Sequence, residues 1–394
     1  MGLYNRSLVL LRGLAVLLVL APAAAGAAEL RATGDVSVGG ENYDQLSAIA
    51  AMPNGAVAAV GSTFIAAGIY QRGWAVKVRA DGGIAWETIY LDHFRSKLRA
   101  VATLPDGDIL IAGSYWQEKG APSLAFVARL DGDGTTRWAK AYGGHGDDAT
   151  FGIAVTGDGG AVIVGTTILD DQAPAPKPVG WAFRIDAEGT RLWETTFETE
   201  PVVAVAVLTD GDIAVAGSVR AENNSPDLWA ARLAPDGAVR WRQQYGGADH
   251  DSGAGVAATA DNGFVIAGET LSKGKGSSDA WLLKIDAKGE LEWDRTYGGA
   301  GVERFSSVDV FERGAIVAAG TTQKAGTDDF DLWIVVVDGQ GRPLVGGTMG
   351  GNRDDRALGV AVAGPDSLVV AGIAQPADTH ELIANGRILF FDIR

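Results

Sequence analysis

Short apolar runs closed by turn residues recur along the whole chain. The stretch 261–299 has the most complete pattern, with an apolar run that ends at Gly268 and two further runs at 281–285 and 291–297. Gly, Asn and Asp separate the runs and supply the backbone angles of tight turns. Each run has the length of a strand and is too short for a helix. The pattern predicts an all-β chain.

The glycine that closes the first run returns at intervals of 52, 52, 52, 51, 52 and 52 residues. Its copies are Gly61, Gly113, Gly165, Gly217, Gly268, Gly320 and Gly372. Seven strand-rich units of this period predict a seven-bladed β-propeller, whose four-stranded antiparallel blades close into a ring with little exposed sheet edge. We name the strands of a blade a, b, c and d in chain order, and strand c of the first blade is predicted to start at Trp74.

The two ends of the chain predict how the ring closes. The seventh unit ends with its third strand, 388–394, whereas residues 30–40 resemble a fourth strand with its terminal double glycine. We therefore predict that the N-terminal strand completes the last blade. The predicted boundaries are 41–90, 91–143, 144–198, 199–246, 247–298 and 299–350 for blades 1 to 6, and 351–394 with the closing strand 29–40 for blade 7.

Residues 1–28 have the layout of a secretory signal peptide. Arg6 and Arg12 are their only charges, an apolar core covers 13–20, and small residues lead to cleavage after Ala27 or Ala28. A retained anchor is the alternative, but the apolar run is shorter than the ~20 residues of a spanning helix. We expect residues 29–394 to form a single propeller domain that is periplasmic or secreted.

Charge and cysteine content restrict the possible partners. Without residues 1–28 the chain keeps 31 basic and 49 acidic residues, a balance that disfavours nucleic acid and anionic membranes. Cysteine is absent, so the chain has neither disulfides nor thiolate chemistry. The histidines at positions 93, 145, 250 and 380 are dispersed, and no hydrolase, zinc-protease or phosphate-loop motif is present. We expect the protein to be a monomer and not to insert into a membrane after the signal peptide has been cleaved.

Aromatic and basic residues recur at fixed places in the units. The aromatic at the start of strand c and the tryptophan 12 residues later are Trp74/Trp86, Phe126/Trp138, Trp181/Trp193, Trp229/Trp241 and Trp281/Trp293. Their repetition favours packing between blades over ligand stacking. The basic residues three places after the first aromatic are Lys77, Arg129, Arg184, Arg232 and Lys284. We interpret them as interblade ion-pair partners of acids such as Glu87, Glu194 or Glu292, in preference to an anion site.

The most regular unit has the pattern W-x-x-K-x-D-x-x-G-x-x-x-W-x-x-x-Y-G-G, from Trp281 to Gly299. It resembles the propeller repeats of secreted bacterial proteins, and its D-x-x-G-x-x-x-W part is similar to the quinoprotein-like repeat of pyrroloquinoline quinone (PQQ) dehydrogenases. The resemblance implies a propeller fold. Those dehydrogenases have eight blades, many with adjacent cysteines and a calcium site, whereas this chain has seven units and no cysteine. We therefore expect no cofactor, and PQQ least of all.

One face of the predicted ring has the features of a binding site. The d-to-a and b-to-c connections of this loop face are long and varied, whereas the a-to-b and c-to-d turns of the opposite turn face are short. Binding residues concentrate on loops held by a rigid scaffold. Tyr115 and Trp116 are the clearest irregularity of the loop face, since they follow Gly113 where other units have mostly Thr or Val. They are the ligand-binding candidates.

The loop face also carries an acid four residues after most double glycines. These acids are Asp44, Asp148, Asp251, Glu303 and Asp355. They could bind a divalent cation such as calcium, or accept backbone N–H bonds within the turn. The second interpretation is favoured because no loop has calcium-loop spacing.

The sequence thus predicts an exported, noncatalytic propeller that binds a protein or glycan partner through its loop face. The alternative is a propeller enzyme, an oxidoreductase or hydrolase, with its site at the top of the central channel.

Overall fold

The computed structural model describes residues 28–39, 43–65, 70–90, 94–144, 146–169, 177–198, 201–220, 225–323, 326–351, 353–375 and 384–394. These residues form seven antiparallel sheets of four strands each and no helix. The predicted signal peptide lies outside the described residues except for Ala28.

The sheets follow one another along the chain as the blades of a propeller. The first strand, β1 (Leu30–Val38), belongs to the last blade, and blade 1 contains β2 (Asp44–Ala51), β3 (Val57–Ile65), β4 (Tyr70–Val78) and β5 (Ile84–Tyr90). Blade 2 contains β6 (Arg95–Thr103), β7 (Ile109–Trp116), β8 (Leu124–Leu130) and β9 (Thr136–Tyr142). Blade 3 contains β10 (Ala149–Val155), β11 (Ala161–Ile168), β12 (Pro178–Ile185) and β13 (Arg191–Phe197).

The second half of the ring repeats this order. Blade 4 contains β14 (Val202–Val207), β15 (Ile213–Arg220), β16 (Pro226–Leu233) and β17 (Val239–Tyr245). Blade 5 contains β18 (Asp251–Ala258), β19 (Phe264–Thr270), β20 (Asp279–Ile285) and β21 (Leu291–Tyr297). Blade 6 contains β22 (Glu303–Val310), β23 (Ile316–Gln323), β24 (Phe330–Val337) and β25 (Pro343–Met349), and blade 7 contains β26 (Asp355–Gly364), β27 (Ser367–Ala374), β28 (Asn385–Ile393) and β1.

The a strands form the inner wall of the ring. Each of β2, β6, β10, β14, β18, β22 and β26 contacts the a strands of both neighbouring blades, and β26 contacts β2. The predicted seven-bladed ring is therefore confirmed. One predicted boundary was wrong: strand c of blade 1 begins at Tyr70 and not at Trp74, because the b–c hairpin continues pairing as far as Ile65 and Tyr70.

The N-terminal strand closes the ring, as predicted. Strand β1 pairs antiparallel with β28 from Leu30 opposite Ile393 to Val38 opposite Gly386. Leu30 is buried in the apolar cluster between blades 6 and 7, and Val38 is buried in the cluster between blades 7 and 1. The closing strand thus contributes side chains to the packing on both sides of blade 7.

The glycine that sets the sequence period lies under a carbonyl group. Every a strand contains a β-bulge three residues after its loop-face acid position, as between Leu98 and Ala100 in blade 2. Next to the bulge, a Cβ on Gly113 would stand 1.9 Å from the carbonyl oxygen of Lys97. The same collision recurs in the other six blades, where a Cβ would stand 1.8 to 2.3 Å from a strand a carbonyl oxygen. Only glycine allows this approach.

The tryptophan of strand d connects each of the first five blades to the next. Its indole Nε1 donates to a carbonyl in the c-to-d turn of the following blade; the pairs are Trp86–Gly132, Trp138–Ala187, Trp193–Pro235, Trp241–Ala287 and Trp293–Gly339, at 2.9 to 3.2 Å. The indole ring also covers a turn glycine with positive φ, such as Gly289, whose Cβ would stand 3.1 Å from Trp241. These tryptophans are interblade contacts on the turn face.

The recurrent basic residues of strand c pair with different acids from those predicted. Arg129 binds Asp106 and Asp108, each at 2.7 Å, and both acids lie in the a-to-b turn of the same blade. Turn acids are also the partners in three further blades, as the pairs Arg184–Asp158, Arg232–Asp212 and Lys284–Asp261. Lys284 also reaches a strand d glutamate that was predicted, Glu292, at 3.3 Å. The interblade contact is made instead to backbone carbonyls, as from Lys77 Nζ to Gly132 O at 2.6 Å.

Removal of residues 29–38 is expected to lower the melting temperature of the whole ring in one transition. The deletion exposes the edge of β28 and the apolar clusters on both sides of blade 7, so local fraying cannot absorb the loss. Circular dichroism melting of the truncated and intact proteins measures the effect. An unchanged melting temperature would contradict closure by this strand.

Two point substitutions on β1 test whether the strand stabilises the ring through its buried side chains. Leu30→Ala removes a buried side chain and is expected to cost about 2–4 kcal/mol in the free energy of unfolding. Arg31→Ala, at the exposed neighbouring position, is expected to change it by less than ~0.5 kcal/mol. Urea unfolding of both variants provides the comparison.

Candidate functional site

The loop-face acids anchor the turns between blades. Asp148 is fully buried and accepts hydrogen bonds from Gly144 N at 2.7 Å and Thr167 Oγ1 at 2.6 Å. Gly247 N, Gly299 N and Gly351 N donate in the same way to Asp251, Glu303 and Asp355, at 2.7 to 2.9 Å. The carboxylate of Asp44 packs against Gly39, where a Cβ would stand 2.2 Å from Asp44 Oδ2.

These five acids belong to five different blades and are not brought together. In the described part of the chain, no three carboxylate or histidine side chains converge where they could hold a metal ion. Of the four histidines, only His250 lies within the described residues. The geometry of each acid fits a turn anchor, since its oxygens are directed at backbone N–H groups and hydroxyls.

A second carboxylate approaches the anchor at three consecutive junctions. Between blades 4 and 5, a Cβ on Gly246 would stand 2.8 Å from Asp251 Oδ2 and 2.9 Å from Asp227 Oδ1, so the two carboxylates flank one glycine. Burial raises the pKa of Asp227, and the charge of Asp251 adds to the effect. Asp279 with Glu303 and Asp331 with Asp355 are the equivalent pairs at the next two junctions. The repetition identifies a property of the ring and not a unique site.

Blade 2 differs from this arrangement. Ser96 stands at the place of the acid, is fully buried, and accepts a hydrogen bond from Gly73 N of blade 1 at 2.8 Å. The loss of the carboxylate leaves cations as the only charged residues of strand β6, whose sequence is RSKLRAVAT.

Tyr115 and Trp116 have different environments despite being adjacent. The ring of Tyr115 is only 8% exposed and packs edge-on against Phe126 in the apolar cluster between blades 1 and 2. Trp116 is partly exposed, and the guanidinium of Arg95 lies over its ring at 4.9 Å. Arg95 also donates to Gln71 Oε1 of blade 1 through Nε at 3.3 Å and an NH2 group at 3.1 Å. Of the two predicted residues, Trp116 is therefore the one available to a ligand.

The cations of β6 were not among the residues predicted from the sequence. Arg95 is directly opposite Trp116, and Lys97 is directly opposite Ser114 on β7. Arg99 is the extra residue of the bulge and lies over the ring of Phe151, at 4.8 Å, in blade 3. The signal was present in the sequence, because the equivalent positions in other units are mostly uncharged.

A cleft of about 600 Å³ lies on the opposite side of the ring. It is formed on the turn face between blades 1 and 2 and is lined in part by Lys77, Trp86 and Gly132. Because Lys77 and Trp86 both donate to the carbonyl of Gly132, these groups already serve the interblade contact. We therefore interpret the cleft as a result of the packing between blades 1 and 2 and not as a binding site.

Comparisons with known proteins identify the fold. A family model described as a domain of unknown function (DUF5122) beta-propeller matches residues 104–136, within blade 2. No curated protein sequence matches the chain. The described part of the chain contains no helical segment with the length and hydropathy of a membrane span.

Solved structures of three kinds resemble the chain. A protein of unknown function from Dyadobacter fermentans is 13% identical with a TM-score of 0.53, over 93% of this chain and 99% of that one. The Pan2 WD40 domain of Neurospora crassa is 11% identical with a TM-score of 0.60, over 92% and 95%. An acylaminoacyl peptidase of Pyrococcus horikoshii is 13% identical with a TM-score of 0.51, over 90% of this chain but 52% of that one. At these identities the similarity establishes a β-propeller repeat protein and nothing about activity.

The buried carboxylate pairs make the stability of the ring dependent on pH. Burial raises the pKa of Asp355 from 3.8 to about 6, and Asp331 and Asp354 add to the effect. The folded protein therefore holds a proton between about pH 4 and 6 that the unfolded chain releases, so this contribution to stability declines as pH rises through that window. Asp355→Asn is expected to be more stable than the wild type at pH 7, by up to about 3 kcal/mol, and to lose this advantage at pH 4.

Urea unfolding of the wild type and Asp355→Asn between pH 4 and 7 measures the difference. Asn can still accept the N–H of Gly351, so the anchor is kept. Asp133→Asn, at an exposed turn-face position, is the matched control. Parallel pH profiles for wild type and Asp355→Asn would contradict the assignment.

Proposed function

We propose that the chain is an exported, noncatalytic propeller that binds a protein or glycan partner through the loop face of blade 2. The observation that carries the proposal is the partly exposed Trp116 with Arg95 stacked on its ring. An aromatic ring with a cation over it presents apolar area and charge at a low cost in conformational entropy, and such residues are enriched at the centres of binding surfaces. The pair occurs where blade 2 departs from the repeat.

Export and placement within a repeat family belong to the same proposal. The signal-peptide layout of residues 1–28 favours a periplasmic or secreted protein. The tryptophan and Tyr-Gly-Gly pattern favours kinship with secreted bacterial propeller repeats and, more distantly, with PQQ-like repeats. The protein is proposed to act as a monomer without a cofactor.

A propeller enzyme is the alternative, and the pair Asp227 and Asp251 beside His250 is the observation closest to it. A carboxyl group with a raised pKa next to a second carboxylate is typical of acid–base sites. However, two more junctions carry equivalent pairs, and the anchor acids are committed to backbone N–H groups. Turn anchoring accounts for all three pairs, so we favour a binding module.

Trp116→Ala is expected to abolish capture of the partner from the periplasmic or culture fraction of the native organism. The substitution removes the exposed ring and the surface on which Arg95 stacks, and a central aromatic is typically worth more than ~2 kcal/mol, or about thirtyfold in affinity. Affinity pull-down followed by mass spectrometry compares the variant with the wild type.

Leu271→Ala is the matched control, because Leu271 is an exposed apolar residue, 43% accessible, at the end of strand b on the loop face of blade 5. It is expected to retain the partner. Equal capture by the wild type and Trp116→Ala would remove blade 2 as the binding region.

A further inference from the structure

Strand a of blade 2 concentrates positive charge at the inner wall of the ring. Lys97 pairs with β7 just before the bulge, Arg99 is the extra residue of the bulge, and Arg95 precedes both on the same strand. The residues equivalent to Lys97 are Gln45, Ala149, Pro201, Ser252, Arg304 and Arg356, and those equivalent to Arg99 are Ser47, Phe151, Val203, Ala254, Ser306 and Leu358. Blade 2 is the one unit with a cation at both positions.

Lys97 and Arg99 face the same side of the strand. Leu98 belongs to the apolar cluster with blade 1, and Ser96 accepts a hydrogen bond from Gly73 of blade 1. Because side chains alternate along a strand, Lys97 is directed away from blade 1 and toward blade 3. Arg99 reaches the same side, since its guanidinium lies over Phe151 of blade 3.

The two cations have no counter-charge among the described residues. Lys97 forms no hydrogen bond or ion pair there, and the Nε of Arg99 is buried without a hydrogen-bond partner. The oxygens of Asp148, the anchor acid of blade 3, accept hydrogen bonds from Gly144 N and Thr167 Oγ1.

The pKa shifts of Lys97 and Arg99 agree with the absence of a counter-charge. Burial lowers the pKa of Lys97, and the charges of Arg99 and Arg95 lower it further. Burial also lowers the pKa of Arg99. Two like charges on a partly desolvated strand destabilise the fold unless something neutralises them.

We propose that Lys97 and Arg99 form a binding site for an oxyanion, either a carboxylate or a phosphate group, at the inner strand of blade 2. The guanidinium supplies a planar fork of N–H donors, and the ammonium supplies a compact second charge. Phosphate or carboxylate oxygens match both donors. The proposal does not require a macromolecular partner, since it predicts that a small free anion binds to the isolated protein.

The net charge of the chain does not oppose this site. The formal charge is −16, but charges farther away than a Debye length of about 8–10 Å are screened in ordinary buffers. The acid that anchors the equivalent turn elsewhere is replaced by the neutral Ser96 in this blade. An anion at Lys97 therefore meets less local repulsion here than it would in the other blades that carry the acid.

The test is the melting temperature and calorimetric titration of the purified protein in sodium phosphate, sodium succinate and sodium chloride at matched ionic strength. Phosphate, succinate or both are expected to raise the melting temperature above that in chloride, and the arm that does so identifies the oxyanion. Lys97→Gln and Arg99→Gln are each expected to weaken binding about tenfold, the loss of one charge-assisted contact.

Two controls and the apo protein make the result decisive. Lys119→Gln removes a cation from an exposed loop position of the same blade and is expected to leave the response intact, as is the charge-preserving Lys97→Arg. In chloride, Lys97→Gln should melt no lower than the wild type, because the substitution relieves repulsion. The proposal is overturned if wild type responds to phosphate and succinate as it does to chloride, if both glutamine variants keep the response, or if Lys97→Gln is markedly less stable in chloride.

Discussion

Each blade depends on the close approach of a strand a carbonyl to the glycine of strand b. In six of the seven blades the oxygen lies within 1.9 Å of the place where a Cβ would stand, and in the seventh within 2.3 Å. No other residue fits, so the glycine fixes the pairing of strands a and b at one register. The β-bulge beside it bends the inner strand and adds one residue that the ladder does not pair. That residue is Arg99 in blade 2, so the constraint that builds the blade also places the cation of the proposed site.

The turn face and the loop face have different roles in the ring. On the turn face, the tryptophan indoles, the strand c cations other than Lys284, and the hydroxyls of Tyr142, Tyr245 and Tyr297 bind carbonyls of the next blade. Burial raises the pKa of these tyrosines, which therefore remain neutral donors. Because these contacts require short turns of constant geometry, variation is confined to the loop face. A rigid ring with one variable face favours recognition, since the loops and strand ends are held in place before a partner arrives.

The sequence was sufficient for the fold because the fold is periodic. The repeated glycine, the missing last strand and the spare first strand together specify a closed ring of seven, and repetition itself identified the tryptophans as packing residues. The ion pairs were mispredicted because the partner of Arg129 depends on the position of the a-to-b turn in the folded blade. That position belongs to the tertiary structure. The sequence predicted only part of the candidate site. Strand alternation alone separates Tyr115, turned into the core, from Trp116. The charges of Lys97 and Arg99 are visible in the sequence, but no sequence pattern reveals the bulge in which Arg99 lies.

The regular contacts stop at blade 6, where Val345 replaces the tryptophan of strand d. There the inner strands are joined by side chains that the other blades lack: Ser307 Oγ accepts from Val360 N at 3.1 Å, and Asp309 Oδ2 accepts from Val362 N at 2.8 Å. All six equivalents of Asp309 are alanines that pair identically with strand b, so the carboxylate is specific to this seam. Burial raises the pKa of Asp309, and its two backbone donors oppose that cost. The ring thus substitutes inner polar contacts for an outer indole next to the blade that is assembled from both chain ends. Blade 2 has an indole contact with each of its two neighbours, so the strand that carries the proposed site is held by more regular interblade contacts than the strands of blade 7.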